Sequence, residues 1–469
     1  MREVVFAPCD PFFLQEVKAG DVRFQAEDYL FRLGLLRERL REKGLTHAVL
    51  YGDREHFSNI EYFTSYDCRF EESLLVVDAQ GGASILVGNE GLGYSEQIPY
   101  EINRVLYQNF SLQGQPRQQL RNLSEIFGAL GITARSRVGL AGYKYYEGGF
   151  ACGRPYAFDV PAYILHELHH ACGEPNIIDF TKELTGYPNG IRMRLHNAKD
   201  IAWAEYAGNR TANVMLNLLK NLKPGVSEFE LSQKSNAGFD LTNVCSIVSF
   251  GERGVALGLK SPLMDVRLQE GDVCALCYSL RGNNTARVGV AATCQNSYRE
   301  ELKPYLRSFY MKHWEAMAAW YETASVACSS GALYDAVMSR IGGAEFGVAL
   351  NPGHNVSTDE WTNSSIYKNS PVAVHDGSHI QVDIIASNVN PVRVSICEDA
   401  VVIASGKLRA ELEAQYPEAY RRIVMRQQKI REVLNINLSD DVLPMSNLNA
   451  VCFPFMLNTD TILAYSAAE

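Results

Sequence analysis

Residues 268–295 read LQEGDVCALCYSLRGNNTARVGVAATCQ and carry two strand-like runs behind a Gly-Asp pair. The runs DVCALCYSL and VGVAATCQ consist mainly of apolar residues between turn-forming Gly and Asn, which is typical of strands. From Val273 to Arg299 the sequence contains no Asp or Glu at all. This stretch therefore predicts strands that contribute no carboxylate of their own.

The rest of the second half repeats the same mixture of strands and helices. A helical stretch from about Lys199 to Leu222 stops at KPG, residues 223–225. Further strand-like runs are VCSIVSFG, HIQVDIIAS and ICEDAVVIA, and a helical block covers roughly residues 300–341. Helices grouped beside strands predict an α+β domain.

The first half alternates helices with strands and predicts an α/β domain. Residues 28–44 have helical spacing, residues 46–52 form a strand-like run, and residues 73–88 place two apolar runs around a Gly-Gly turn. The segment LTGYPNG, residues 184–190, is rich in turn formers. We therefore expect two domains, residues 1–187 and 188–469.

Composition is that of an ordinary globular protein. The 469 residues are 46% hydrophobic and 21% charged, with a net charge of −10. That charge argues against nucleic-acid partners and anionic membranes. No apolar run reaches the ~18–20 residues that span a bilayer, and the first residues lack a signal-peptide pattern. Eleven scattered cysteines predict a reduced, cytoplasmic location.

A short zinc-protease motif occurs at residues 166–170, which read HELHH. On a helix, His166 and His170 lie on one face and could both bind zinc, with Glu167 as the base. Gly173 and Pro175 end that helix, so a third ligand has to come from beyond it, and Glu183 is the only nearby acid that could serve. We expect Ile164, Leu168 and Ala171 to be buried and the two histidines to face solvent.

Five strings in the second half together resemble the "pita-bread" superfamily of methionine aminopeptidase, prolidase, aminopeptidase P and creatinase. They are IRMRLHNAKDIAWAEYAG (191–208), LKPGVSEFEL (222–231), LQEGDVCAL (268–276), NPGH (351–354) and CEDAVVIA (397–404). The first half resembles the smaller domain of prolidase and creatinase. The resemblance implies a pita-bread C-terminal domain and a small-molecule or peptide substrate.

The family's site uses five metal ligands, and only three of those positions keep a suitable residue here. The resemblance places the histidine on His354, one acid on Asp383 and another on Glu398. The two remaining acids fall on Cys277 and on or near Ala286. Losing two of four carboxylates removes the charge that balances two metal ions. We therefore expect no metal and no cofactor, although a single-metal site from Cys277, His354, Asp383 and Glu398 stays open.

Creatinase is the relative with the same kind of loss, and it hydrolyses a C–N bond without metal. The resemblance implies that His354 activates water or moves protons, while Asp383 and Glu398 hold a cationic group. Carboxylates that lie close together repel, so one of them should hold its proton and can act as an acid.

Four further residues are predicted to bind substrate. Lys260 occupies a family histidine position eleven residues before Gly271, and its ammonium is expected beside Asp383 and Glu398, where it would anchor a substrate carboxylate. Trp361 stands where the family often has another histidine. Cys277 is expected as a small residue of the site. In creatinase-like homodimers the N-terminal domain reaches the neighbouring site, and Arg69 is the candidate for that reach.

Three functions remain open from the sequence. The first is a creatinase-like, metal-independent hydrolase that cleaves a C–N bond in a small, nitrogen-rich metabolite carrying a carboxylate. The second is an Xaa-Pro-type peptidase with one unusual metal ion. The third is a non-catalytic binding protein on a peptidase fold, whose function would survive the loss of His354, Asp383 and Glu398.

Overall fold

The computed structural model describes residues 2–119, 121–147 and 157–467. Within those residues the chain forms an α/β unit and an α+β unit, as the sequence predicted. None of the helices in these ranges is both long and apolar enough to cross a membrane.

The division between the units differs from the expected boundary. The smaller unit comprises Arg23–Met193, and the larger unit comprises Met1–Val22 with Arg194–Glu469. The first residues join the larger unit because strand β1 (Val4–Pro8) pairs antiparallel with the final strand, Thr461–Tyr465. The turn-rich segment after residue 184 therefore still belongs to the smaller unit.

The smaller unit contains one six-stranded mixed sheet with helices on both faces. Its helices are α1 (Ala26–Glu42), α2 (Ser58–Thr64), α3 (Asn89–Tyr94), α4 (Leu123–Ala129), α5 (Ala162–Cys172) and α6 (Thr181–Thr185). Its strands are β2 (His47–Gly52), β3 (Ser73–Asp78), β4 (Ala83–Val87), β5 (Asn103–Leu106), β6 (Val138–Ala141) and β7 (Ile177–Asp179). The strand order is β5-β4-β3-β2-β6-β7.

Alternating residues of the central strands supply two separate cores. Leu50 of β2 packs in one core with Leu36 of α1, whereas its neighbour Val49 packs in the other with Phe127 and Leu168 of α4 and α5. Successive side chains of a strand point to opposite faces, so continuous apolar strands require helices on both sides. The predicted hairpin at 73–88 is confirmed as β3 and β4.

The larger unit groups its helices beside three sheets in the described residues, one of which is the two-stranded pair of β1 and β17. Its helices are α7 (Ala198–Asn221), α8 (Glu228–Ser232), α9 (Gly251–Leu257), α10 (Lys312–Thr323), α11 (Ser330–Ile341), α12 (Gly406–Gln415) and α13 (Pro417–Glu432). Its strands after β1 are β8 (Ile247–Phe250), β9 (Val273–Leu280), β10 (Asn283–Val290), β11 (His354–Asn355), β12 (Ser378–Gln381), β13 (Ala386–Val389), β14 (Val392–Glu398), β15 (Ala400–Ile403), β16 (Val442–Pro444) and β17 (Thr461–Tyr465).

Two antiparallel sheets position the site. The five-stranded sheet has the order β13-β14-β10-β9-β8, and the four-stranded sheet has the order β11-β12-β15-β16. Strands β14 and β15 are separated only by Asp399, so the chain passes directly from one sheet to the other there. The carboxylate of Asp399 binds the guanidinium of Arg287 at 2.6 Å, away from the cavity described below.

Local sequence explains the turn that leads from α7 to α8. Pro224 and Gly225 follow α7 and cannot continue a helix readily. The side chain of Ser227 then accepts the backbone N–H of Glu230 at 3.0 Å, and the carboxylate of Glu230 accepts the N–H of Ser227 at 2.9 Å. This reciprocal capping starts α8.

Candidate active site

Three neighbouring strands carry one row of residues across the larger sheet. Ala286 of β10 is the register partner of Cys277 on β9 and of Glu398 on β14. Side chains that face one another across strands lie on the same face of a sheet. The row therefore places Cys277, Ala286 and Glu398 side by side, and Glu398 supplies its one carboxyl group.

His354 and Asp383 come from the four-stranded sheet and the segment after it. His354 begins β11 and faces Gln381, the last residue of β12, while Asp383 follows between β12 and β13. Both side chains are buried. The chain thus brings together His354, Asp383 and Glu398, although all three lie on different strands or connecting segments.

Three carboxylates converge on one nitrogen of His354. Its Nε2 lies 3.2 Å from Oε1 of Glu360, 3.9 Å from Oδ2 of Asp383 and 4.0 Å from Oε1 of Glu398. Its other ring nitrogen, Nδ1, lies 3.2 Å from the carbonyl oxygen of Asn355. The imidazole also stacks on Trp361, with ring centroids 4.0 Å apart. Its plane and position are therefore fixed from several sides.

Two amide side chains hold Glu398 in place. Asn284 donates from Nδ2 to Oε2 at 2.9 Å, and Gln381 donates from Nε2 to Oε1 at 3.0 Å. The thiol of Cys277 donates to Oδ1 of Asn284 at 3.0 Å, which fixes the orientation of that amide. Each oxygen of Glu398 thus has a neutral hydrogen-bond donor.

Burial and crowding change the acidity of these groups. Burial opposes a charge on His354, yet the nearby carboxylate of Glu360 and that of Asp383 raise its pKa above the ordinary value. Burial raises the pKa of Asp383 to about 6, with His354 opposing and Glu360 adding to that rise. Burial and the charges of Asp383 and Glu360 raise the pKa of Glu398 well above its usual range. Asp383 is therefore poised to exchange a proton near neutral pH.

A cavity of about 560 Å³ opens beside these acids. Its polar lining includes Cys277, Asn284, Glu360, Asp383 and Glu398. Trp361 also lines it, which fits the predicted role of that residue in binding substrate. Of its lining residues, Asp383 and Glu398 are buried whereas Leu259, Leu350 and Val389 are exposed, so these two acids lie at its inner end.

The donor set decides which metal arrangement could fit. Ala286 has no ligand atom, and burial with the nearby charges of Glu398 and Glu360 raises the pKa of the Cys277 thiol well above its ordinary value. The family's two-metal arrangement therefore does not fit. The ligand atoms of His354, Glu360 and Glu398 do lie within 4.8 Å of one another, which would suit one ion.

Lys260 lies apart from this set. Its ammonium pairs with Oε2 of Glu228, whose side chain is fully buried. The two carboxylate oxygens of Glu228 also accept the backbone N–H groups of Phe250 at 2.8 Å and Leu263 at 2.9 Å. The predicted placement beside Asp383 and Glu398 therefore differs from the structure, because a buried carboxylate in α8 takes the lysine as its counter-ion.

Arg69 belongs to the smaller unit, where its Nε binds Oδ2 of Asp67 at 2.7 Å. Its reach into a partner's site, and the homodimer that this reach requires, stay predictions.

The HELHH string lies on α5 and has no metal-binding geometry among the described residues. Ile164 and Leu168 are buried, and His166 and His170 are exposed, as expected, whereas Ala171 is only half-buried. The carboxylate of Glu167 accepts the backbone N–H of Ser124 at 2.8 Å, and this bond lowers its pKa. The motif thus joins α5 to the start of α4.

Sequence reasoning missed three residues of the site: Glu360, Asn284 and Gln381. The stretch from Val273 to Arg299 is notable in the sequence for its missing carboxylates, and that absence obscured the amide of Asn284 within it. A signal for Glu360 was present, because it directly precedes Trp361, which already stood at a family site position.

No protein-family model and no curated protein matches this chain. Solved structures do match its fold. An Xaa-Pro dipeptidase from Bacillus anthracis has a TM-score of 0.60 at 13% identity, covering 81% of this chain and 96% of its own. The prolidase from Pyrococcus horikoshii has a TM-score of 0.60 at 13% identity, with 80% and 95% covered. The aminopeptidase PepP from Pseudomonas aeruginosa has a TM-score of 0.55 at 14% identity, with 86% and 100% covered. The chain therefore has the pita-bread fold of these solved enzymes, as predicted.

Proposed function

We propose that this chain is a metal-independent hydrolase that cleaves a C–N bond. The observation that carries the proposal is the convergence of Glu360, Asp383 and Glu398 on the buried Nε2 of His354. These groups form an acid–base set at the inner end of a cavity, where two metal-ligand positions of the fold are occupied by Cys277 and Ala286. Solved structures with this fold include enzymes named for Xaa-Pro bonds, which are C–N bonds.

The raised pKa values give each carboxyl group a role. Asp383, with a pKa of about 6, is mostly ionised at pH 7 and takes a proton from water. The water oxygen forms the new C–O bond. Glu398 keeps its proton because its pKa is raised well above the usual range, and it gives that proton to the nitrogen as the C–N bond breaks.

His354 returns the site to its starting state. After cleavage Asp383 carries the extra proton and Glu398 lacks one. The Nε2 of His354 lies 3.9 Å from Asp383 and 4.0 Å from Glu398, so a small movement of either carboxyl group allows it to pass the proton between them. Stacking on Trp361 keeps the ring in the plane that serves both acids.

A second candidate is an Xaa-Pro-type metallopeptidase with a single ion. Its support is the grouping of ligand atoms from His354, Glu360 and Glu398 within 4.8 Å. A bound divalent ion would polarise the scissile carbonyl and lower the pKa of water. Three carboxylates in a buried site would offset its charge, whereas the metal-free reading requires some of them to hold protons.

Metal analysis of the purified chain separates the two candidates. We expect well below one equivalent of bound metal, and hydrolysis of amide or amidine compounds that withstands prolonged chelation. One tightly bound equivalent whose removal abolishes activity, and whose return restores it, would favour the metallopeptidase instead. If the wild-type chain hydrolyses no amide or amidine compound with or without metal, both catalytic proposals are contradicted and a binding protein is left.

A further inference from the structure

We propose that the substrate carries a long aliphatic chain on a neutral or cationic head group and has no carboxylate near the scissile bond. This inference rests on the proposed function, because it assumes that the head group lies among the acids. It departs from the compact, carboxylate-bearing metabolite that the sequence suggested. Three features of the cavity carry it: its floor, its mouth and its charge.

The floor of the cavity is a run of aliphatic residues on the sheet that carries Glu398. Val392, Val394, Ile396 and Glu398 of β14 all line the cavity, as alternate residues of one strand do. At about 3.3 Å per residue, the apolar row reaches about 20 Å from Glu398 to Val392. Neighbouring strands widen the same face with Val288, Ala275 and Ile247.

A separate wall comes from α9 and the segment that follows it. Val255, Ala256 and Leu259 line the cavity from this side, and none of these three side chains is charged. The volume of about 560 Å³ falls within the range of about 300–1,000 Å³ that is typical of ligand pockets. A mainly apolar space of that size, lined along about 20 Å of β14, fits an extended chain better than a compact polar metabolite.

The mouth is apolar as well. Leu259, Leu350 and Val389 line the cavity and are 67%, 52% and 67% exposed. Large exposed aliphatic residues at the rim of a pocket are costly in water unless a ligand or partner covers them. A chain that extends from the acids to the mouth would cover all three.

The charges of the cavity exclude a carboxylate close to the reacting bond. Its acidic lining residues are Glu360, Asp383 and Glu398, of which Glu398 holds a proton in the proposed mechanism, and no lysine, arginine or histidine of the described chain lines it. Like charges at short distance repel strongly in a poorly solvated site. Lys260, the predicted anchor for a substrate carboxylate, is held by Glu228.

The test measures binding of compounds that cannot be cleaved. A series of straight-chain alkylamines of increasing length is titrated into the full-length protein by calorimetry, beside ω-amino acids of matched length. Complete burial of each added methylene raises affinity by up to about fourfold, so we expect a two- to fourfold gain per methylene. The matched ω-amino acids should bind at least tenfold more weakly when they are short.

Matched variants assign the effect to the cavity. Leu259→Asp places a charge on an exposed lining residue, while Leu257→Asp places it on a residue of similar exposure, 61%, that does not line the cavity. We expect the first variant to remove the dependence on chain length and the second to keep it. Both sites are exposed, so folding should be preserved, which circular dichroism checks.

The outcomes separate this inference from the proposed function. Affinity that does not change with chain length, or tighter binding of the ω-amino acids, would overturn the inference even if short amides are hydrolysed. Chain-dependent binding without hydrolysis of any matching amide would overturn the proposed function, and the long-chain compound would then be a ligand of the cavity rather than a substrate. A wild-type dimer that Leu259→Asp dissociates, together with no chain dependence, would assign the apolar mouth to a second copy and also overturn the inference.

Discussion

The Nε2 of His354 and the Oε1 of Glu360 lie 3.2 Å apart, and the imidazole is fully buried. Glu360 is thereby the closest acid to the histidine, closer than either carboxylate that the resemblance identified. A buried imidazole normally loses its proton easily, but an adjacent carboxylate favours the charged ring. The pair is therefore the basis of the first prediction.

Glu360→Gln should lower the pKa of His354, because the amide keeps the shape but removes the charge. The raised folded pKa of His354 stabilises the fold at low pH, and this contribution is lost as the pH rises through that pKa. The free energy of unfolding of the variant should therefore fall less between acidic and neutral pH than that of the wild type. Histidine titration by NMR and urea denaturation check this prediction. The control is Asp335→Asn, which changes an exposed side chain of α11. An unchanged His354 titration would contradict it.

Asp383→Asn should stabilise the protein at pH 8 while reducing hydrolysis by about a hundredfold. Folding raises the pKa of Asp383 to about 6, so the folded carboxyl binds its proton more tightly than the unfolded one. At low pH the carboxyl is protonated in the folded and the unfolded state, and the shift costs no stability. Once the pH exceeds about 6, ionisation of the buried carboxyl lowers the free energy of unfolding by about 2–3 kcal/mol. The gain from Asn should vanish below pH 4. Denaturation at both pH values measures it, and a variant that is less stable at pH 8 would contradict it.

Cys277→Asp combined with Ala286→Asp should create binding for two metal ions. The two positions are register partners on β9 and β10, beside Glu398, so both new carboxylates would face the existing acids. We expect about two equivalents of Mn²⁺ or Co²⁺ by metal analysis after loading and desalting. A matched control places the same charges one pair further along the same face, in Ala275→Asp with Val288→Asp. Equal metal content in the two variants would contradict the prediction.

Lys260→Met should destabilise the protein by about 3 kcal/mol, because it leaves the buried carboxylate of Glu228 without its counter-ion. The double variant with Glu228→Gln should recover part of that loss. Lys303→Met, which removes a partner of exposed Glu300, should cost less than about 1 kcal/mol. Urea denaturation compares the three. Unchanged stability of Lys260→Met, with a raised KM for acidic substrates alone, would restore the predicted substrate-anchoring role.

Part of the framework of the site follows from local patterns. The apolar run DVCALCYSL predicted the strand around Cys277, which is β9. The next strand differs, because β10 covers Asn283–Val290 and begins in the Gly-Asn stretch that the pattern assigned to a turn. The predicted strand HIQVDIIAS is interrupted as well, because Asp383 lies between β12 and β13. Such patterns fix which residues share a face, and the fold then brings those faces together.

The rest of the site depends on contacts between residues that are distant in the sequence, and no local pattern contains such contacts. Lys260 meets Glu228 because α8 and the segment after α9 pack together, and the sequence places those residues far apart. The aliphatic floor becomes visible only when Val392, Val394 and Ile396 are seen on the same face as Glu398. The function of the site thus depends on which neighbours the fold supplies to each predicted residue.

The pairing of β1 with β17 has a consequence for how the chain is made. During synthesis the strand Val4–Pro8 leaves the ribosome before the smaller unit, and its partner Thr461–Tyr465 leaves only after that unit. The residues of the smaller unit are complete long before that, so they can fold while β1 is still unpaired. An unpaired strand edge invites aggregation, so nascent chains should need a chaperone to shield β1 until the final strand arrives.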